Sequence, residues 1–416
     1  MYTQPEMTGF GYNTPMLKTL PAEYLCCDPE SFAANTLAVR LPEIARRMLA
    51  ENHFPEPIVA AVGKLLDEMR AGPIQALEDP GAPDQPAWAE YMRPHLGKPW
   101  AGLSFFVCEN YFYRRLLAAT GYFQPGYERG LDPYAEQKRL GLETSRAPLA
   151  QLARRLAGWR RHANIDILVE AIETNLWGNR ADLSLWPAGA EGTLSNDSLH
   201  QAEEYLLVNE NPRLAAFIAG LKGGRIDLLI DNAGFELGCD LALADLLLSS
   251  GLAREVRFHL KFHPTFVSDA LVEDVRRTAL FFAELEDHEA GELSRRLVGW
   301  MENGWLLLRP NAYWNSPLPG WEMPGDLRAE LGGADLAISK GDANFRRLLG
   351  DLRWPAETRF NDICAYFPTR LAALRVDKSE LAVNLRPGQA GEMDLRDPAW
   401  RSNGKWGMIQ FTESIF

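Results

Sequence analysis

Cysteine is the first scarcity. The chain has five in 416 residues, Cys26, Cys27, Cys108, Cys239 and Cys364, and none forms a C-x-x-C pair. That set excludes a disulfide framework and a cysteine zinc site, and it reads as the reduced thiols of a cytoplasmic protein. Positive charge is the second. Lys and Arg number 43 against 56 acids, a formal net charge of -13, which excludes a general nucleic-acid face. A local cluster of Lys and Arg can still hold a small anion. Long apolar runs are missing too: none approaches the roughly 20 residues that cross a bilayer, and the opening MYTQPEMTGFGYNTPMLKTL has no signal-peptide core. The expectation is a soluble, cytoplasmic protein with no membrane or nucleic-acid partner. Glycine-rich signatures are absent as well. No G-x-G-x-x-G follows the first strand of the α/β region, and neither G-x-x-x-x-G-K-[ST] nor G-x-S-x-G occurs.

What is present divides the chain in two, as 416 residues lead one to expect. The first half is helical in pattern, with apolar residues three and four apart in TLAVRLPEIARRMLAEN, PIVAAVGKLLDEMRAG and FFVCENYFYRRLLAATGYF. The same spacing continues through APLAQLARRLAGWRRHANIDILVEAIETNLWGN and SLHQAEEYLLVNENPRLAAFIAGL. From about residue 225 short apolar strands alternate with helices: RIDLLID, EVRFHLKF, GWLLLRPN, ADLAISK and LAALRVDK. Alternation of this kind predicts a largely parallel α/β sheet with helices on its faces. The expected domains are a helical one over 1–205 and an α/β one over 206–416.

Ligands of open α/β sheets bind beyond the carboxyl ends of the strands, so the residues ending each apolar run are the candidates. Asp231 and Asn232 follow LLI, and Ser268 and Asp269 follow EVRFHLKFHPTFV. Lys340, Gly341, Asp342 and Asn344 follow LAIS, and Arg375 and Lys378 follow LAAL. Asp231, Asn232 and Asp269 offer hard oxygen ligands, which suit Mg²⁺ or Mn²⁺ and not zinc. The plainer reading, helix capping by Asp or Asn, stays open for each. In SKGDANFRR, Lys340 ends a strand, Gly341 allows a tight turn, and a helix start attracts an anion. Asp342 and Asn344 can address sugar hydroxyls; the alternative is an ordinary strand–turn–helix with a solvated lysine. Arg375 and Lys378 can clamp a phosphate if RVDK curls, or form a surface charge pair. His259 and His263 alternate with Phe258, Leu260 and Phe262, and a polar sheet edge explains them more simply than a metal. Glu109 reads as a buried ion pair, and Asn179 as a turn residue. The D-x-D slot of haloacid-dehalogenase phosphatases is filled by Asp231-Asn232-Ala233, without a second acid.

Together DNAGFELGCDLALADLLL, FVSD, KGDANFRRL and RVDK resemble the metal-dependent damage-control phosphatases, formerly a family of unknown function. The match is to the eukaryotic-type branch that includes the acidic residue methyltransferase proteins. RLPEI (Arg40 to Ile44), ENYFYRRL, LWGNRADLS and GKWGMIQF extend it, in order, over nearly the whole chain. The resemblance implies a helical domain packed on a Rossmann-like α/β domain, with a divalent cation in the cleft. By motif, Asp231, Asn232 and Asp269 fall on the family's metal ligands, for Mn²⁺ or Mg²⁺, with Co²⁺ or Ni²⁺ as further choices. Asp342, Ala343, Asn344, Phe345, Arg346 and Lys378 fall on its substrate-binding segments, with Lys340, Gly341 and Arg375 beside them. Glu109 and Asn179 lie in matching segments. Val376 stands where the branch usually carries threonine in R-T-x-K, and Ala343 and Phe345 turn the commoner DLNYR into DANFR.

Such a protein is expected to hydrolyse phosphomonoesters of small metabolites, fructose 1-phosphate and related sugar phosphates above all. Lys340 and Lys378 would counter phosphoryl charge, water would attack in preference to Asp231, and Asp342 would orient the sugar or protonate its leaving oxygen. The alternative is a protein carboxyl methyltransferase using S-adenosylmethionine, against which the missing glycine-rich turn weighs. The chain is expected to be a monomer or a weak oligomer.

Overall fold

The structure, a computed structural model, describes residues 20–126, 129–161, 163–178 and 204–413. One sheet organises it, made of β1 (Leu206–Asn209), β2 (Gly224–Leu229), β3 (Ala253–Lys261), β4 (Leu306–Asn311), β5 (Leu336–Lys340), β6 (Leu371–Val376) and β7 (Gly407–Thr412). The strand order is β1-β7-β6-β5-β2-β3-β4. β6, β5, β2, β3 and β4 run parallel; β7 joins β6 antiparallel, and β1 joins β7 parallel. The expected α/β class with a mostly parallel sheet is met. β5 and β6 are buried throughout and β2 at all but its first residue. Helices cover both faces, which is why these strands are mainly apolar, and the buried Arg225 and Asp227 of β2 pair with each other.

In chain order the helices are α1 (Leu41–Glu51), α2 (Glu56–Ala71), α3 (Gln85–Met92), α4 (Phe105–Ala119), α5 (Ala135–Thr144), α6 (Arg146–Arg161) and α7 (Ile165–Trp177). Then come α8 (Asn211–Gly220), α9 (Phe235–Ser249), α10 (Val272–Phe281), α11 (His288–Glu302), α12 (Gly325–Gly332), α13 (Gly341–Leu349) and α14 (Gln389–Arg396). Shorter helical turns lie between them. Residues 206–209, expected within a helix, form edge strand β1, because Pro212 starts a new helix and the short apolar run before it pairs with β7. The tail strand β7 had no predicted counterpart. No described helix is long and apolar enough to cross a membrane.

Three large cores follow from this arrangement. One joins α6 through α11 to one sheet face, so Leu149, Leu156, Leu168 and Leu176 share a core with Ile226, Phe258 and Ile338. A second fills the other face beneath α12 and α13. The third belongs to α1–α4 and touches the sheet side through Phe266 and Val267. Of the helices expected in the helical half, α7 packs on β6 and β7, and α6 packs on α9 and α11, the helices that cover that sheet face. The chain leaves β2 for β3 on one side and later returns to place β5 on the other. That switch opens a crevice at the carboxyl ends of β2 and β5, where the rim residues gather.

Candidate active site

The loop after β2 and the loop after β3 are zipped together. Asn232 and Asp269 form an isolated antiparallel bridge, Ala233 N donates to Ser268 O at 2.7 Å, and Ala270 N donates to Asp231 O at 2.8 Å. Asp231 and its neighbour Asn232 thus share one crevice wall with Asp269, which comes 37 to 38 residues later in the chain. Phe266 and Val267 reach Ser268 with φ of 47° and 68°. A β-branched residue in that left-handed region stores strain, on the order of 1–3 kcal/mol, of the kind that collects at functional loops. Gly341, at the end of β5, takes φ 78°, and a Cβ there would stand 1.9 Å from Asp231 Oδ2. Only glycine lets this backbone pass so close to the acid.

Charge is concentrated here. Asp231 is buried, and its carboxyl is pushed well above the ordinary range by burial first, then by Glu236 and Asp269, against the pull of Lys261 and Lys378. Asp269 is raised by burial too, with Lys261 working against it. Lys261 Nζ lies 3.1 Å from Asp269 Oδ2, an ion pair without good hydrogen-bond direction, and 3.4 Å from Asn344 Oδ1. Asn232 donates through Nδ2 to Asp231 Oδ2 at 2.6 Å and to Glu236 Oε2 at 2.9 Å, and its Oδ1 accepts from Ser268 Oγ at 2.6 Å.

Among the described residues no group of three His, Cys, Asp or Glu side chains is arranged to hold a metal. The expected set has two acids and a carboxamide, so its fit is judged by donor chemistry. Two buried carboxylates whose charged forms are disfavoured by burial, beside an amide oxygen, fit a hard dication.

The cations of the rim divide in a way the residue order did not show. Lys340 is buried, and its ammonium donates to Asp240 Oδ1 at 2.9 Å, Glu236 Oε1 at 3.1 Å and Asn175 O at 3.1 Å. All three of its donors are committed, so the expectation that it counters phosphoryl charge is corrected. Arg375 is buried and gives Nε to Asp342 Oδ1 at 2.7 Å, with its other nitrogens on Ser379 and on Leu381 O. It braces a turn and is not a phosphate clamp. Lys378 is half-buried, and its charge bears on Asp231. Arg346 pairs with Glu109 at 2.6 Å and Asp351 at 2.8 Å, confirming Glu109 as a buried ion pair. Burial raises the Glu109 carboxyl despite Arg346.

Burial also pushes Asp342 upward, but the charges of Arg375 and Arg346 and bonds from Arg375 and Ser379 outweigh it, leaving the acid below its ordinary range. A group held ionised in this way accepts hydrogen bonds and is a poor proton donor, against its expected second role. Asn344 spans Lys340 O and Ile230 O through Nδ2 at 3.0 and 3.2 Å. Phe345 is buried, stacked on Phe360, with Arg375 over its ring. Both serve packing, and Ala343 is half-buried beside them. Asn179 lies outside the described residues; Gly178 before it presses on α9, where a Cβ would stand 2.9 Å from Cys239 Sγ.

His259 is not on a sheet edge, because β3 lies between β2 and β4, and His263 lies in the loop after β3. His259 meets Asp227 at 2.9 Å and His263 meets Asp84 at 3.1 Å, both buried. Sequence reasoning passed over Lys261, Glu236 and Asp240. A signal was present: acids inside the otherwise apolar α9, buried from Phe235 to Leu248, must find partners.

Comparison with known proteins identifies the family. The model of the damage-control phosphatase ARMT1-like domain matches residues 36–393. Damage-control phosphatase ARMT1 of Rattus norvegicus is 32% identical, covering 94% of this chain and 98% of its own. The Danio rerio protein of that name is 31% identical over 94% and 97%, and the Homo sapiens one 29% over 95% and 99%. A solved DUF89 family protein from Pyrococcus horikoshii, 16% identical over 92% of this chain and 91% of its own, has a TM-score of only 0.38 and carries no weight in the assignment. With its motifs in order from Arg40 to the β7 strand, the chain belongs to the ARMT1-like damage-control phosphatase domain family.

Proposed function

We propose that this protein is a metal-dependent phosphomonoesterase acting on small sugar phosphates of the fructose 1-phosphate type. The observation that carries the reading is the acid–amide–acid wall of buried Asp231 and Asp269 with half-buried Asn232, faced by the charge of Lys378. Those three residues would hold Mn²⁺, Mg²⁺, Co²⁺ or Ni²⁺. When bound, the cation supplies Lewis-acid charge to a phosphoryl oxygen. The chain's residues do the rest. Lys378 meets the remaining phosphoryl charge, and Gly341 keeps the backbone clear of Asp231. Asp342, kept ionised, accepts a hydrogen bond from a sugar hydroxyl and so orients the ester. Positioning and charge complementarity provide most of the catalysis in phosphoryl transfer. A reduced, cytoplasmic setting belongs to this reading, supported by five free thiols, four of them buried.

The test is phosphate release from a panel of sugar phosphates, with each metal and with a chelator. Asp231→Ala should abolish release while leaving the circular dichroism spectrum intact, and Lys378→Ala should mainly raise KM. Full activity in chelator, or methyl transfer from S-adenosylmethionine without phosphate release, would refute the reading.

A further inference from the structure

A carboxamide is a two-faced ligand. Its oxygen and nitrogen ends have nearly the same shape, and the torsion that exchanges them is soft. A dication accepts only the oxygen end. Whatever fixes the flip of Asn232 therefore decides whether this wall can hold a metal.

The residues that fix it are on the page. Asn232 Nδ2 donates to Asp231 Oδ2 at 2.6 Å and Glu236 Oε2 at 2.9 Å, and carboxylate oxygens select the NH₂ end. Oδ1 is turned to the other side, where Ser268 Oγ donates to it at 2.6 Å. Glu236 cannot swing away, because Lys340 Nζ holds its second oxygen at 3.1 Å. Lys340 is itself held by Asp240 Oδ1 and Asn175 O, and Asn175 Nδ2 donates to Asp240 Oδ1 at 2.7 Å. Lys340, Glu236, Asp240 and Asn175 are each no more than 4% exposed, so this is a fixed scaffold.

We infer that Glu236 and Lys340 are positioning residues: Lys340 locks the Glu236 carboxylate, and Glu236 locks the NH₂ end of Asn232 so that only its oxygen end, on the Ser268 side, is left to serve a metal. The inference rests on the proposed metal-dependent reading and gives α9 and β5 a part in it. Partners one step behind a ligand commonly govern metal affinity by 10–100-fold.

The experiment measures Mn²⁺ binding directly, by electron paramagnetic resonance of free Mn²⁺ titrated with full-length protein. Glu236→Gln keeps the shape, but the new amide can offer an oxygen to Lys340 only by turning its NH₂ group on the Asn232 NH₂. Affinity should fall by about 10–100-fold. The exchange N232D/E236Q restores a donor–acceptor pair and keeps the net charge, so it should recover most of the lost affinity. A merely destabilised protein would not recover. Lys340→Met should weaken Mn²⁺ binding while KM for the phosphoester at saturating metal stays unchanged.

Unchanged Mn²⁺ affinity in E236Q, or no recovery in the double variant, overturns the inference. So does a Lys340→Met protein with a raised KM and normal metal affinity, which would make Lys340 a phosphate contact. Wild-type protein that binds no Mn²⁺ defeats the proposed function itself, a separate result.

Discussion

At the scale of single residues, the crevice is defined as much by what is missing as by what is charged. Gly341 has no side chain because a Cβ would overlap Asp231 Oδ2 at 1.9 Å. Gly341→Ala should therefore displace that carboxylate, beyond the strain of alanine at φ 78°. The expected result is a folded protein with sharply weakened Mn²⁺ binding; unaltered binding would mean that Asp231 is not where the ion sits. The three proposed ligands could be named from the sequence because each follows an apolar run, but the run alone does not separate a ligand from a helix cap. The roles of the cations could not be read. Residue order puts Lys340, Arg375 and Lys378 on the same rim, but it says nothing of which way a side chain turns. Lys340 turns inward to Glu236 and Asp240, and Arg375 turns to Asp342. Lys261 was hidden for the same reason.

At the scale of elements, β2, α9, β5 and β6 were readable as mainly apolar runs bounded by polar residues, and β3 as an alternating strand. β1 and β7 were not. β1 has four residues, and Leu206-Leu207-Val208 carries no period that separates strand from helix. Helices α6 and α7 read as part of a helical half, since amphipathic spacing does not name the surface it covers; for α7 that surface includes β6 and β7, and for α6 it is the sheet-covering helices α9 and α11. Beside the His263–Asp84 contact and the packing of Phe266 and Val267, a further tie between the helices of 41–119 and the α/β part lies on α13. Arg346 binds Asp351 beside it and Glu109 on α4, with its guanidinium 4.0 Å over the Phe105 ring. Both acids are buried. Arg346→Met should leave two buried carboxylates without a partner, a loss of about 3–5 kcal/mol. Urea unfolding of wild type and variant at one pH measures it. A shift as small as that of a surface substitution would show that α13 and α4 are held by packing alone.

At the scale of the whole molecule, stability must answer to pH through the buried acids, and they do not all push the same way. Asp84 is raised by burial but lowered further by His263 and Arg114, and ends below its ordinary range. Its contribution is present above the unfolded carboxyl value and is lost as pH falls. Asp377, between Arg375 and Lys378, behaves oppositely. Both of its oxygens are buried without a hydrogen bond among the described residues, and Arg375 Nε is 3.5 Å away. Burial pushes this carboxyl up to about 7, with Arg375 offsetting only part of the rise. A folded value above the unfolded one means that the native state prefers the protonated acid. Stability from Asp377 is then complete below about pH 4 and is lost between there and about pH 7. At about 1.4 kcal/mol per unit, the loss is at most a few kcal/mol. Asp377→Asn cannot ionise, so it should match wild type near pH 4 and exceed it by up to a few kcal/mol at pH 8. Urea unfolding of both proteins in chelator at pH 4, 6 and 8 makes the comparison. Curves that stay parallel across that range would place the source of any alkaline weakness elsewhere. A gap that widens with pH would mean that the chain keeps a costly acid beside Lys378, at the mouth of its proposed phosphate site.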